Sequence, residues 1–366
     1  MRTLRFVHAS DFHLDAPFQG LTAAKAAMRR EEQREMLQRF AALGDNVDLI
    51  LLSGNLFDSS SGGSSSGQEL MDALGHARCP VILSPGSRDR FEEHNVWSGL
   101  TIPENVSVFR RREMHLITVP SAGARIYGAA FTAASSPALL RGFHAERKAG
   151  FYNLLCMQGE VGNPSSSFNP IDEAELAASG TDYAALGNGS AASGLRQSGG
   201  CKYAWPGCPE GRNFEEDGEK SVYIVELDPE GCRLEAVNIS SRQYRNLSLD
   251  ITEKDPLLLI HTALPDNTVR DCWRITLTGE TDKAPDLRRL HRNLDEMFFS
   301  LQLRDRTHLS PAVWAQAGED IPCYGTTHAD YFYGSIPCVR CLTKEEIEDA
   351  YEENTGHLIV NEFNRM

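Results

Sequence analysis

Apolar residues recur along this chain in short runs that alternate with helical stretches. Leu4-Arg5-Phe6-Val7-His8 predicts a strand, and it ends in Ser10-Asp11-Phe12-His13. Over 22–43, Met28, Met36, Leu37, Phe40 and Leu43 fall at helical spacing among Arg29, Arg30, Glu31, Glu32, Arg34 and Glu35. That pattern predicts one amphipathic helix whose charge run is a solvated face. The runs 48–53 and 79–84 read as buried parallel strands, ending at Gly54-Asn55 and at Pro85-Gly86-Ser87-Arg88-Asp89. Between them lie a Ser/Gly-rich connector over 59–67 and a short helix over 68–77. The runs 151–157 and 182–186 repeat the pattern and end at Gln158-Gly159-Glu160 and Gly187-Asn188-Gly189-Ser190. Strands that alternate with helices predict an α/β fold with a mainly parallel sheet and its polar turns gathered on one edge.

Farther along, 220–227, 233–239 and 242–250 alternate and are expected to complete the second half of a two-sheet sandwich. A strand over 273–277 and a helix over 286–300 follow. Leu287, Leu290, Leu294 and Met297 share one face of that helix, and Arg288, Arg289 and Arg292 lie on the other.

Composition narrows the function classes. At 366 residues, 41% hydrophobic and 24% charged, the chain is long enough for a full core and a second, smaller domain. A formal net charge of -15 argues against broad non-specific affinity for nucleic acid or anionic membranes, because Lys and Arg drive such binding. Neither a signal-peptide core nor an apolar run of about 20 residues is present, which predicts a cytoplasmic protein with no membrane partner. Nine cysteines without framework spacing fit reduced thiols.

The candidate chemistry starts at Asp11-x-His13. A hard carboxylate oxygen and an imidazole nitrogen at the C-terminal lip of a parallel strand suit a divalent transition metal. The same residues also suit a solvated strand end, with Asp as a cap.

Asp11-x-His13, the Gly54-x-x-x-Asp58 turn, Pro85-Gly86-x-x-Asp89, Gly159-Glu160-Val161-Gly162 and Leu186-Gly187 resemble, in order and separation, the calcineurin-like metallophosphoesterases. The runs Ser10-Asp11-Phe12-His13-Leu14-Asp15-Ala16-Pro17-Phe18 and Tyr203-Ala204-Trp205-Pro206-Gly207-Cys208-Pro209-Glu210-Gly211-Arg212 narrow the likeness to bacterial DNA-repair exonuclease subunits of the SbcD and YhaO type. The resemblance covers residues 1–300. It implies a two-sheet β-sandwich flanked by helices, an α/β/β/α arrangement, over 1–248, and a small α+β capping domain over 249–310. A C-terminal tail over 311–366 would be a partner-docking region. It further implies two manganese ions, a hydrolase acting on duplex DNA ends, an SMC-like ATPase partner and a homodimer. A basic strip on the capping-domain helix would be a phosphate contact, the alternative being an ordinary charged face.

Carried over by position, the metal ligands Asp11 and His13 match. Asn55 stands where the bridging Asp is expected, Ser87 for the Asn, and Arg88 for the His beside it that assists the leaving group. Gln158, Asn188 and Ser190 stand for three further His. Six of the eight positions are therefore replaced, each by a neutral or cationic residue, while the framing residues remain. This pattern favours a non-hydrolytic relative with no metal or weakly bound metal that binds DNA or a partner ATPase. The alternative is an active phosphoesterase that uses one metal or recruits His8, His94, His144 or Glu160. His8, three residues before Asp11, is expected to stay inside the strand. Arg88 is expected to pair with Asp11 or Asp89 in place of the metals, and Arg88, His13 and Ser87 form a candidate phosphate grip. In the tail, Cys338-x-x-Cys341 with Cys323 and His328 fits either a zinc site or free thiols, and 344–351 fits a short docking helix.

Overall fold

The computed structural model describes residues 2–18, 20–58, 65–92, 96–189 and 191–310. Ser190, His94, most of the Ser/Gly connector and the whole tail, with Cys323, His328, Cys338, Cys341 and the 344–351 stretch, lie outside the described residues. The chain divides into two compact units at Arg245/Asn246.

In the first unit, β1 (Leu4–Ala9) leads to α1 (Ala23–Ala42), whose Thr22 side chain accepts the Lys25 N–H as N-cap. β2 (Leu49–Ser53), α2 (Ser65–Gly75), β3 (Val81–Ser84) and β4 (Val106–Val108) follow. The helix α2 starts three residues earlier than its apolar pattern suggests, taking in the end of the Ser/Gly run. Next come β5 (His115–Val119), β6 (Ala124–Gly128), β7 (Tyr152–Gln158), β8 (Glu160–Val161), β9 (Pro170–Ile171), α3 (Glu173–Ala178) and β10 (Tyr183–Gly187). β11 (Arg196–Ser198), β12 (Cys201–Ala204), β13 (Val222–Leu227) and β14 (Cys232–Val237) complete the unit.

These strands form two six-stranded sheets. The first runs β14-β13-β1-β2-β3-β4 and the second β11-β12-β10-β7-β6-β5. β1 to β4 are mutually parallel, as are β6, β7, β10 and β12. Leu4, Phe6, Leu49 and Leu51 of the first sheet pack with Ile126, Leu154, Cys156, Tyr183 and Ala185 of the second, so the main core lies between the sheets. Met36, Leu37 and Phe40 of α1, with Leu70, Met71 and Leu74 of α2, cover the outer face of the first sheet. Leu176 of α3 packs on the outer face of the second. The architecture is α/β, in the layer order helix, sheet, sheet, helix.

Two expectations need correction. β13 and β14 extend the first sheet, with β13 antiparallel to β1, rather than completing the second. The run 242–250 belongs instead to the other unit's sheet as β15 (Tyr244–Asp250). On α1 the charge run is only partly solvated. Arg29 is fully buried, whereas Met28, assigned to the apolar face, is exposed.

The second unit continues with α4 (Pro256–Ala263), β16 (Cys272–Thr281), α5 (Leu287–Leu294) and β17 (Ser300–Leu309), giving a three-stranded sheet β15-β16-β17. α5 is capped by Asp286 and stops at Leu294, shorter than its apolar pattern suggests. A 3-10 turn over Asp295–Met297 intervenes and the chain is already strand at Ser300. Leu290 and Leu294 pack with Ile260, Trp273, Ile275 and Leu277. Among the described residues, no helix is long and apolar enough to cross a membrane, and the six described cysteines are free thiols.

Candidate functional site

The loops that follow β1, β2, β3, β7 and β10 meet at one edge of the two sheets. The first two zip together through their backbones. Asp11 N–H donates to Gly54 O (3.0 Å), His13 N–H to Asn55 O (3.0 Å), Leu14 N–H to Leu56 O (2.8 Å) and Asp58 N–H back to Leu14 O (2.8 Å). Among the described residues, seven non-glycine residues have positive φ, and five stand on these loops: Asp11, His13, Asp15, Asn55 and Asn188. Each costs free energy that the surrounding contacts must offset, a pattern typical of functional loops. Packing is close enough to exclude a side chain at two glycines. A Cβ on Gly86 would lie 2.6 Å from both Asn55 N and Asn55 Oδ1, and one on Gly187 would collide with the Ser53 carbonyl.

Asp11 is buried and its carboxylate is saturated with hydrogen bonds. Ser10 Oγ (2.6 Å) and the Asn188 N–H (3.1 Å) donate to Oδ2, and Asn55 Nδ2 (2.9 Å) donates to Oδ1. Burial works to raise this carboxyl, but neighbouring His13 and the donors from Ser10 and Asn55 outweigh it and hold it below the usual carboxylate range. His13 lies between two carboxylates, with Nδ1 3.2 Å from Asp58 Oδ1 and Nε2 3.7 Å from Asp11 Oδ1. Burial alone would lower the imidazole pKa. Asp11 and Asp58 reverse that and raise it above the usual value, against the opposing charge of Arg212. Asp58 is held low, chiefly by His13.

Asp89 performs a different task. Its Oδ1 accepts the N–H groups of Asn55 (3.0 Å) and Gly86 (2.7 Å), and its Oδ2 accepts that of Leu56 (2.9 Å), so one buried carboxylate pins the β2 loop to the β3 loop. Burial pushes its pKa up to about 6 despite those donors. Gln158 ties the other loops together. Its Oε1 accepts the Ser87 N–H (2.6 Å), while its Nε2 donates to Ser87 Oγ (3.2 Å) and Asn188 Oδ1 (2.7 Å). Asn55 Oδ1 accepts the Arg88 N–H (3.2 Å).

Asp11, His13, Asn55, Ser87, Gln158 and Asn188 are thus brought together, as their strand-end positions suggest. Arg88 is at the same lip but does not pair with Asp11 or Asp89. Both carboxylates are already satisfied from within, so the guanidinium extends outward, 67% exposed, with its Nε 3.9 Å from Asp58 Oδ1. His8 stays inside β1, bound to Tyr183 Oη, Ser53 Oγ and Leu186 O at 3.0 Å each. Its burial pushes the imidazole pKa down to about 3. His144 bonds the Ala178 carbonyl (2.8 Å), and Glu160 accepts from Asn163 and Ser166, so each is committed to its own loop. Among the described residues, no three His, Cys, Asp or Glu side chains gather in a metal-holding group.

The comparisons with known proteins add little. No family model matches the chain. L-ribulose-5-phosphate 4-epimerase UlaF of Salmonella typhi and of Salmonella paratyphi B is 51% identical over 71 residues, 19% of this chain and 31% of the epimerase. The chain therefore spans about a third of the length of these curated relatives, and about four fifths of it lies outside the match. A crystal structure of TT1561 of Thermus thermophilus aligns over 65% of this chain and 100% of that one at 14% identity and a TM-score of 0.39. A likeness that low carries no argument about function.

Local sequence pattern does not mark several residues that shape this edge. Asp58 is visible only as the last residue of the Gly54-x-x-x-Asp58 turn, yet it orients His13. Glu210 and Arg212 stand in the long run 203–212 with nothing in the pattern to assign them a role. Arg212 binds Glu216 through its side chain and its N–H (2.8 Å), and its charge acts on both His13 and Asp58. Glu210, fully buried, takes the buried Arg29 guanidinium together with the Ser241 N–H (2.8 Å). Arg29 also binds Gly211 O (3.0 Å), which anchors the loop that carries Arg212 to α1.

Proposed function

We propose that this chain is a non-hydrolytic relative of the DNA-repair exonuclease subunits of the SbcD and YhaO type, a metallophosphoesterase fold that binds DNA ends or a partner ATPase without cutting. The carrying observation is the amide and hydroxyl network of Asn55, Ser87, Gln158 and Asn188. These residues stand at or just past the ends of four separate strands, at the expected ligand positions; Ser87, Gln158 and Asn188 hydrogen-bond to one another, and Asn55 Nδ2 and the Asn188 N–H bond to Asp11.

Two manganese ions do not fit this donor set. The carboxylate of Asp11 already accepts three hydrogen bonds. Asn55 turns its amide N–H toward Asp11 and offers no charge to offset the repulsion between two dications. Gln158 spends both ends of its amide on Ser87 and Asn188. A metal bridge would require these bonds to break without an anionic ligand to replace them. In this reading residues 1–248 are the phosphoesterase-type domain and 249–310 the capping domain, with 311–366 as the docking region, and the protein works in the cytoplasm. The short epimerase match supports no epimerase activity, since it spans less than a third of those enzymes.

One observation keeps a second reading in view: Asp11 and His13 stand 3.7 Å apart, a spacing at which both could reach one metal ion. An assay decides between them. Linear duplex DNA and a generic phosphodiester, incubated with the protein and manganese, should show no turnover above that of an Asp11→Ala/His13→Ala double variant. Turnover that the double variant abolishes would establish the one-metal phosphoesterase instead.

A further inference from the structure

We propose that the lip binds a phosphoryl oxyanion directly, without metal, through the Arg88 guanidinium and the Ser87 hydroxyl; the proposal rests on the metal-free reading above.

The charged groups of this edge face two ways. The carboxylates of this edge are turned inward: Asp11 and Asp89 are 4% and 1% exposed, and every acceptor bond described for them comes from the loops themselves. Arg88 points the other way, with one carboxylate, Asp58, at 3.9 Å as its ion-pair partner among the described residues. That separation exceeds hydrogen-bond length, so the planar fork keeps its N–H donors for a ligand. Ser87 is only 9% exposed; its Oγ accepts from Gln158 Nε2, which leaves the hydroxyl hydrogen to donate to an anion seated at the lip.

The base of the grip is fixed before any ligand arrives. Asp89 holds Gly86 N–H, Gln158 holds Ser87 N–H and Asn55 holds Arg88 N–H, so three successive backbone donors of the β3 loop are clamped. A clamped backbone beneath an exposed guanidinium reduces the ordering cost of binding to that of one side chain. The flanking charges are Asp58, Asp11, His13 and Arg212; Arg212 is paired with Glu216, and the two negative charges that oppose an incoming anion, Asp58 and Asp11, both face His13. Arginine suits tetrahedral oxyanions because two parallel N–H groups match two oxygens.

Isothermal titration with inorganic phosphate and with phenyl phosphate, in excess chelator, tests the proposal. Saturable binding is expected with both, weakened at least ~10-fold by Arg88→Gln and less by Arg88→Lys, which keeps the charge but loses the fork. Ser87→Ala should weaken it by roughly 3-fold or more. Because Arg88 is largely exposed, both of its variants should keep the wild-type unfolding midpoint. A folded protein that binds neither probe, with or without manganese, overturns this proposal and leaves the metal-free reading standing. So does binding that Arg88→Gln does not change. Phosphate bound only after manganese is added overturns both.

Discussion

Gln158 and Asn188, at the ends of neighbouring parallel strands, are joined side chain to side chain, Nε2 donating to Oδ1 at 2.7 Å. The same Gln158 holds the Ser87 N–H through its other amide atom, so one residue links the loops after β7, β10 and β3. Replacing Gln158 with Leu keeps the bulk and removes all three of its side-chain hydrogen bonds, to Ser87 N–H, Ser87 Oγ and Asn188 Oδ1. The buried Ser87 N–H and the partly buried Asn188 Oδ1 are then left unpaired, and the expected loss is about 2–6 kcal/mol, from about 1–3 for each unsatisfied group. Urea denaturation measures it. A loss below about 0.5 kcal/mol would show that the network does not hold the loops together.

Much of this edge can be read from the local pattern. The strands β1, β2, β3, β7 and β10 and their polar ends follow from apolar runs broken by glycine and small polar residues, and a parallel series puts those ends together. Helix α1 is equally plain from spacing and from Thr22. What local pattern cannot show is a distant partner. β13 is apolar at five of its six positions, but nothing in that run names its neighbour; its pairing to β1 is fixed by contacts some two hundred residues apart in sequence. Arg29 looks solvated because its neutralising carboxylate, Glu210, is 181 residues away. The direction of Arg88 depends on whether Asp11 and Asp89 already have donors, which only the folded loops reveal.

The buried pair Arg29–Glu210 makes a second prediction. Removing one member strands the other without a counter-charge, so Arg29→Met should cost about 3–5 kcal/mol. The double variant Arg29→Met/Glu210→Gln should recover part of that loss, because a neutral amide tolerates burial better than an unpaired carboxylate. The pair also anchors the Arg212 loop. Arg29→Met should therefore shift the His13 imidazole resonances in NMR spectra. Unchanged resonances would separate the anchor from the site.

His8 gives a pH dependence whose sign is fixed. Its pKa in the folded protein is about 3 against an ordinary 6.5. Between those values the unfolded chain binds a proton that the folded chain does not, so the His8 contribution is intact above pH 6.5. It falls as pH drops, by about 1.4 kcal/mol per pH unit until pH approaches 3. His8→Leu should be less stable at pH 7, since Tyr183 Oη and Ser53 Oγ lose a partner, and its stability should fall less steeply between pH 6 and 4. Parallel slopes for the two proteins would show that His8 is not the group responsible.

In the proposed reading, the polar network stands where metals would otherwise sit. Its most direct test is metal content by mass spectrometry, after the purified protein has been loaded with manganese and desalted. Less than ~0.1 equivalent of manganese per chain is expected, because Asn55 puts no carboxylate at the bridging position and Asp11 already accepts three hydrogen bonds. About two equivalents retained, as a dinuclear centre would hold, would contradict it.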